Sequence, residues 1–156
     1  MREIIFKGKR KDNGEWIYWN IYGELCRLSG KRARLEIPKT AGESYYHYIY
    51  QIRQLILPES ISEFSGLTDK NETKVFEGDI VKFTDSLFGY SHTGMVCFNE
   101  GSFCIKYEYW NKERFHRIGQ TEKWQDMGAS AVITYQYEVI GNIYDNPELI
   151  GGEKND

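Results

Sequence analysis

Proline is scarce in this chain, cysteine is scarce and odd in number, and no long apolar run occurs; each shortage excludes something. Three prolines among 156 residues leave no room for a proline-rich linker or a polyproline segment. Three cysteines, Cys26, Cys97 and Cys104, are too few and too unevenly placed for a secreted disulfide scaffold. They form no CxxC pair, which removes the usual zinc-ribbon and dithiol-redox motifs. No apolar stretch approaches the roughly 18 residues that cross a bilayer, and the opening "MREIIF" is too short for a secretory leader. The expectation is a soluble, cytoplasmic protein with no membrane partner. There is no GxGxxG after a strand, no phosphate-binding loop, no HExxH and no GxSxG, so neither a cofactor nor a familiar reaction is implied.

What the chain does have is aromatic surface. Twelve Tyr, eight Phe and four Trp are too much apolar area for a disordered polypeptide. Charge is divided unevenly. Residues 1–57 carry 11 Lys+Arg against 6 Asp+Glu, and residues 58–156 carry 9 against 17, for a total of -3. Such a split suits a phosphate backbone on the basic half, attraction between the halves of neighbouring copies, or surfaces that are simply solvated.

The segment "KGKRKDNGEWIYW" (residues 7–19) contains Asn13-Gly14, the strongest short hairpin signal. A two-residue loop there sets Lys9 opposite Tyr18 and Lys7 opposite Asn20. Period-2 alternation then puts Ile4, Phe6, Ile17, Trp19 and Ile21 on a core face. Lys7, Lys9, Lys11, Trp16, Tyr18 and Tyr22 fall on the other. Lys7, Lys9, Lys11, Trp16 and Tyr18 are the candidate nucleic-acid or interface residues: ammonium groups follow phosphates while rings stack on bases. The same residues also describe a hairpin whose lysine stems cover its own rings, or rings that pack elsewhere in the chain or on a neighbour.

Further strands are expected at "ARLEIP" and at the aromatic, β-branched run from Tyr45 to Ile52. "KVFEGDIVKF" reads as a strand broken at Gly78. "GMVCFNEGSFCIKY" reads as a second hairpin with Phe98 opposite Phe103 and Cys97 opposite Cys104, both thiols reduced and on the less buried face. Helix is expected only in short pieces near 58–63, 112–126 and 146–150, the last with Asn146 as N-cap and Pro147 at N1. Residues 151–156 read as a frayed tail. Ile80, Val81, Phe83, Val96, Phe98, Val139 and Ile143 are the expected core. His47 reads as a packing or edge residue of a strand, and His92 as a loop residue. Glu77 and Asp79 flank Gly78. Paired carboxylates can act in acid–base work or hold a metal, but an Asp after Gly at a strand start more often accepts backbone N–H groups. No catalytic, cofactor-binding or metal-binding residue is assigned.

Two stretches carry a family resemblance. "FSGLTDKNETKVFEGDIVKF" (residues 64–83) resembles the signature of the YopX family of phage and prophage proteins, and "EVIGNIYDNPELI" (residues 138–150) resembles its closing motif. The opening hairpin and "PESISEFSGL" also fit. Asn71-Glu72-Thr73 departs from the family's Asn-Gly, and Glu at positive φ is costly, so a different turn type is expected there. The resemblance implies a mainly β fold with antiparallel strands, a pseudo-barrel and a few short helices. It implies one domain over 1–156, with possible lobes at 1–57 and 58–150. It names no reaction. The reading that follows is a phage accessory protein that binds or assembles as a homo-oligomer. Nucleic-acid binding through the basic hairpin and an uncharacterised enzyme are the alternatives.

Overall fold

A computed structural model describes residues 3–29, 32–35 and 44–150. The fold is mainly β, all observed pairings are antiparallel, and helix is limited to short pieces. The chain forms two compact units, Met1–Gly66 and Leu67–Asp156.

In the first unit, β1 (Ile5–Lys9), β2 (Trp16–Asn20), β3 (Leu25–Ser29), β4 (Arg32–Leu35) and β5 (Ser62–Thr68, which runs past the division at Gly66) are ordered β4-β3-β2-β1-β5. Of the expected strand "ARLEIP", Glu36, Ile37 and Pro38 lie outside the described residues, as does the tail 151–156. The expected strand at Tyr45–Ile52 is instead a helix, α1 (Tyr45–Gln54). Tyr48, Ile49 and Ile52 fall on one side of it and meet Leu25, Ile17 and Trp19 of the sheet. Tertiary burial at helical spacing outweighs the strand preference of Tyr and Ile. His47 accordingly sits on the exposed side of α1, 3.0 Å from Gln51, and not in a strand.

The first hairpin keeps the expected face parity but is shifted by two residues: Lys9 pairs with Trp16 and Lys7 with Tyr18. Its loop is longer than two residues. Arg10 N–H donates to the Glu15 carbonyl at 2.8 Å, and of the Asn13-Gly14 pair only Gly14 has positive φ, so no type I′ turn forms. Lys11 lies beyond the strand, its N–H bonded to the Leu55 carbonyl at 2.8 Å. Both faces are partly covered. Ile5, on the lysine face, is fully buried, whereas Ile21, expected in the core, is 59% exposed.

In the second unit, β6 (Lys74–Phe76) and β7 (Asp79–Asp85) are separated at Gly78, as expected. β8 (Ser91–Asn99) and β9 (Ser102–Tyr109) form the second hairpin with Phe98 opposite Phe103 and Cys97 opposite Cys104. The region 112–126 is not helical. It forms β10 (Lys112–Arg117) and β11 (Glu122–Asp126), and β11 pairs with β12 (Ala129–Ile133). β10 is a charged edge strand, the type that sequence periodicity represents worst. β13 (Tyr135–Asn142) completes a sheet ordered β10-β9-β8-β7-β13. Single 3₁₀ turns occur at Pro58–Ser60 and Pro147–Leu149, the latter with Asn146 at its N-cap position.

Val75, Val81, Phe83, Val96, Phe103 and Ile105 form the core of this sheet, with Val139, Tyr107, Ile118, Tyr135 and Tyr137 against it. Ile80 is fully buried as well. Two expected core members differ. Phe98 is 56% exposed although it shares a sheet face with its buried partner Phe103, and Ile143 is half-buried beside Gly78. Cys104 is buried and Cys97 half-buried, so the face that the two opposed thiols share is largely covered.

β10 and β13 are opposite edges, four strand spacings apart, or about 19 Å in a flat sheet. Yet the His116 ring of β10 lies 2.9 Å from the Tyr137 hydroxyl of β13. The sheet is therefore strongly curled. Side chains bridge its open side, and no ladder closes it into a barrel.

Candidate functional site

The five residues singled out in the first hairpin are brought together only in part. Lys7 is 6% exposed, and its ammonium sits 4.7 Å from the centroid of the Trp16 ring. A cation over an indole face gains about 0.5–2 kcal/mol, more as water is excluded. Lys9 is half-buried, and its backbone N–H donates to Ser60 Oγ at 2.7 Å. Lys11 alone of the three is exposed, off the end of the strand. Trp16 and Tyr18 are half-buried. Arg10, which could have added charge, is matched by Asp12 and by Glu15 at 4.0 Å. This is an ammonium group held over a ring of its own hairpin, not a row of ammonium groups in solvent.

A larger constellation lies on the concave face of the curled sheet, and sequence reasoning missed it. Phe83 is central. His116 stacks on it at 4.9 Å and 10°, Tyr107 meets it edge-on at 5.1 Å, and His92 and Tyr135 lie at 5.5 and 6.0 Å. His92 is therefore a strand residue of this cluster, not a loop residue. Gly119 N–H donates to the Tyr137 hydroxyl at 3.0 Å, and the same hydroxyl lies 2.9 Å from His116 Nε2. With Gly119 N–H donating to its oxygen, the Tyr137 hydroxyl can donate to Nε2, which leaves the ring proton on Nδ1, 3.9 Å from Glu122 Oε1 and beyond hydrogen-bond distance. The available signal was period-2 placement of ring residues at 83, 92, 107, 116, 135 and 137, spread over five strands whose neighbours are not evident from sequence order.

Burial lowers the pKa of His116, only partly opposed by Glu122. Burial, reinforced by Glu122, pushes Tyr135 up to about 12. Both groups are therefore neutral near pH 7. A depressed histidine binds its proton more readily when unfolded, so folded stability falls as pH drops below about 6.5 and towards the folded value. Thermal melts of the wild type should show that acid loss, and a His116→Gln variant should show a flatter slope below about pH 6.5. Equal slopes for the two would contradict the assignment.

The cluster continues outward to an exposed rim. His92 meets Tyr109 at 5.2 Å, and Tyr109 meets Trp110 at 6.0 Å. In a further group of exposed rings, Phe88 meets Tyr90 at 5.9 Å and Trp124 edge-on at 5.8 Å. Phe88, Tyr90 and Trp110 are 54%, 68% and 80% exposed. The rim loop is built, not slack: the Asp85 carboxylate accepts the N–H groups of Leu87, Phe88, Gly89 and Tyr90. Burial disfavours that carboxylate's charge, but the four donors outweigh it and hold its pKa below the usual range.

Of the paired carboxylates flanking Gly78, Asp79 has a structural occupation. Asp79 Oδ2 accepts the Phe76 N–H at 2.8 Å. Gly78, at φ +80°, donates to the Val96 carbonyl at 2.8 Å and accepts from Ile143 N–H at 2.9 Å, closing β6–β7 onto β8 and the chain after β13. Burial raises the Cys97 thiol, with Cys104 adding to the shift, which opposes thiolate formation. Among the described residues no group of three or more His, Cys, Asp or Glu is placed to hold a metal ion.

A model of the YopX protein family matches residues 5–151, spanning both units. The chain belongs to the YopX family. No curated protein matches it. The YopX motif residues now have physical roles. Asp69, nearly buried, takes the N–H groups of Asn71 and Thr73 on Oδ1 at 2.8 and 2.9 Å, and that of Val139 on Oδ2 at 2.9 Å. The first signature is thereby fastened to the closing motif, and Lys70 and Glu138 add an ion pair at 2.6 Å. The cost expected of Glu at positive φ does not keep Glu72 out of that conformation. Glu72 itself adopts φ +65°, the conformation a glycine would favour, within the turn that Asp69 holds.

Proposed function

We propose that this YopX chain is a phage or prophage accessory protein that acts by binding, as a homo-oligomer, and not by catalysis. The observation that carries the reading is the exposed aromatic rim of the second unit, of which Phe88 and Tyr90 stand on a loop fixed by four hydrogen bonds to Asp85. Exposed rings on a rigid support bury large area at little entropic cost, and Tyr and Trp are enriched among the residues that dominate interfaces. Charge favours association between unlike units of different copies. Met1–Gly66 carries 11 Lys+Arg against 8 Asp+Glu, and Leu67–Asp156 carries 9 against 15. The non-catalytic part rests on the occupations of Asp79, His116 and Cys97 described above.

Phe88→Ser with Tyr90→Ser tests the rim. Sedimentation velocity should show self-association weakened about 30-fold or more, the equivalent of one dominant contact of about 2 kcal/mol. An unchanged association constant would remove the rim from the interface.

A further inference from the structure

Beyond the rim, one strand edge in the second unit is built for pairing. β11 and β12 form a two-stranded sheet of their own. Met127 and Gly128 between them have φ of +45° and +86°, the two-residue loop that favours a twisted hairpin. Such a loop makes its flanking pair, Asp126 and Ala129, the hydrogen-bonded one. Bonded and unbonded pairs then alternate. Ala131 and Ile133 bond to Trp124 and Glu122, while Ser130 and Val132 turn their N–H and C=O groups away from β11.

Natural edge strands are guarded by charge, proline or bulges. β10 is guarded in this way, with Lys112, Glu113, Arg114 and Arg117 in six residues. β12 is not. From Met127 to Tyr137 there is no charge and no proline. Met127 is 99% exposed and Val132 59%.

We propose that β12 is the strand at which two copies of this chain join, antiparallel about a two-fold axis, to form a continuous four-stranded sheet. This rests on the homo-oligomer reading above and adds to it a contact between like units, apart from the rim and from the attraction between unlike units. The occupant must itself be a strand with outward N–H and C=O groups at the same spacing, and every copy carries one. Two identical uncharged strands meet without like-charge repulsion, and an antiparallel edge is self-complementary about a two-fold. The spacing selects one register. Ala131 faces its own counterpart, and Ser130 faces the second copy's Val132 on either side, giving four backbone hydrogen bonds.

In that register Ala131 and its counterpart form an unbonded pair with Cα atoms about 4.5 Å apart. A disulfide accepts about 4.4–6.8 Å. Ala131→Cys, treated with a copper oxidant, should give a covalent dimer at twice the 18.4 kDa chain mass, while wild type and Gln125→Cys do not. Val132→Pro removes an outward N–H without touching the bonds to β11, and Val132→Lys adds an edge charge. Light scattering should show both falling to half the wild-type mass or less. An oligomer whose mass ignores both Val132 variants, with no covalent dimer from Ala131→Cys, overturns the β12 contact and leaves the assembly reading standing. A wild type that is monomeric at every concentration overturns both.

Discussion

Phe83→Ala is expected to destabilise the second unit by about 3–5 kcal/mol, the range for removing a buried aromatic ring from a core. Phe83 is 2% exposed and touches rings from four other strands: His92, Tyr107, His116 and Tyr135. Its loss leaves a void on the concave face and removes the surface on which His116 stacks. The His116–Tyr137 bridge across the open side should loosen with it, because the imidazole no longer has a plane to hold it. Near-ultraviolet circular dichroism during a urea titration measures both effects, the midpoint and the loss of fixed tyrosine signal. Phe83→Leu, which fills most of the volume, should recover more than half the loss. A midpoint for Phe83→Ala within about 1 kcal/mol of wild type would show that this ring does not organise the sheet.

Asp69→Ala should cost about 3 kcal/mol, large for one side chain in a turn. Three backbone N–H groups lose a charged acceptor, and a hydrogen bond to a charged group contributes about 1.5–3 kcal/mol. The bonds share one nearly buried carboxylate, so their losses do not add in full. Asp69→Asn separates the parts. Its oxygen can still serve Asn71 and Thr73, but its NH₂ meets the Val139 N–H and cannot accept from it. Chemical denaturation should place Asn between Asp and Ala, and amide exchange at Val139 should quicken in both variants. An Asp69→Ala protein as stable as wild type would mean that the two YopX signatures are not joined through this carboxylate.

Legibility from sequence followed the range of the interaction. The register of the β8–β9 hairpin was legible, since pairing Phe98 with Phe103 puts Val96, Phe98, Phe103 and Ile105 on one face, but the exposure of Phe98 was not. The first hairpin was legible in its faces but not its register. Lys11 is drawn off to Leu55 and Arg10 to Ile56, 44 or more residues away, and this opens the loop. The helix at Tyr45–Gln54 was misread because Tyr and Ile favour strands, although the 48, 49, 52 spacing was present. Burial of Lys7 could not be read from alternation, which assigns a face but not what covers it. The ring cluster around Phe83 depends on strand order β10-β9-β8-β7-β13, so it became visible only when the curled sheet set both edges within reach of one hydrogen bond.

The most direct test of the central claim, that this protein acts by associating with itself, is light scattering on the unmodified chain across micromolar concentrations and a salt series. The account predicts a mass that is a multiple of 18.4 kDa and declines with dilution, with weaker association at high salt where attraction between unlike units is screened. A mass of one chain at every concentration and every salt would contradict it.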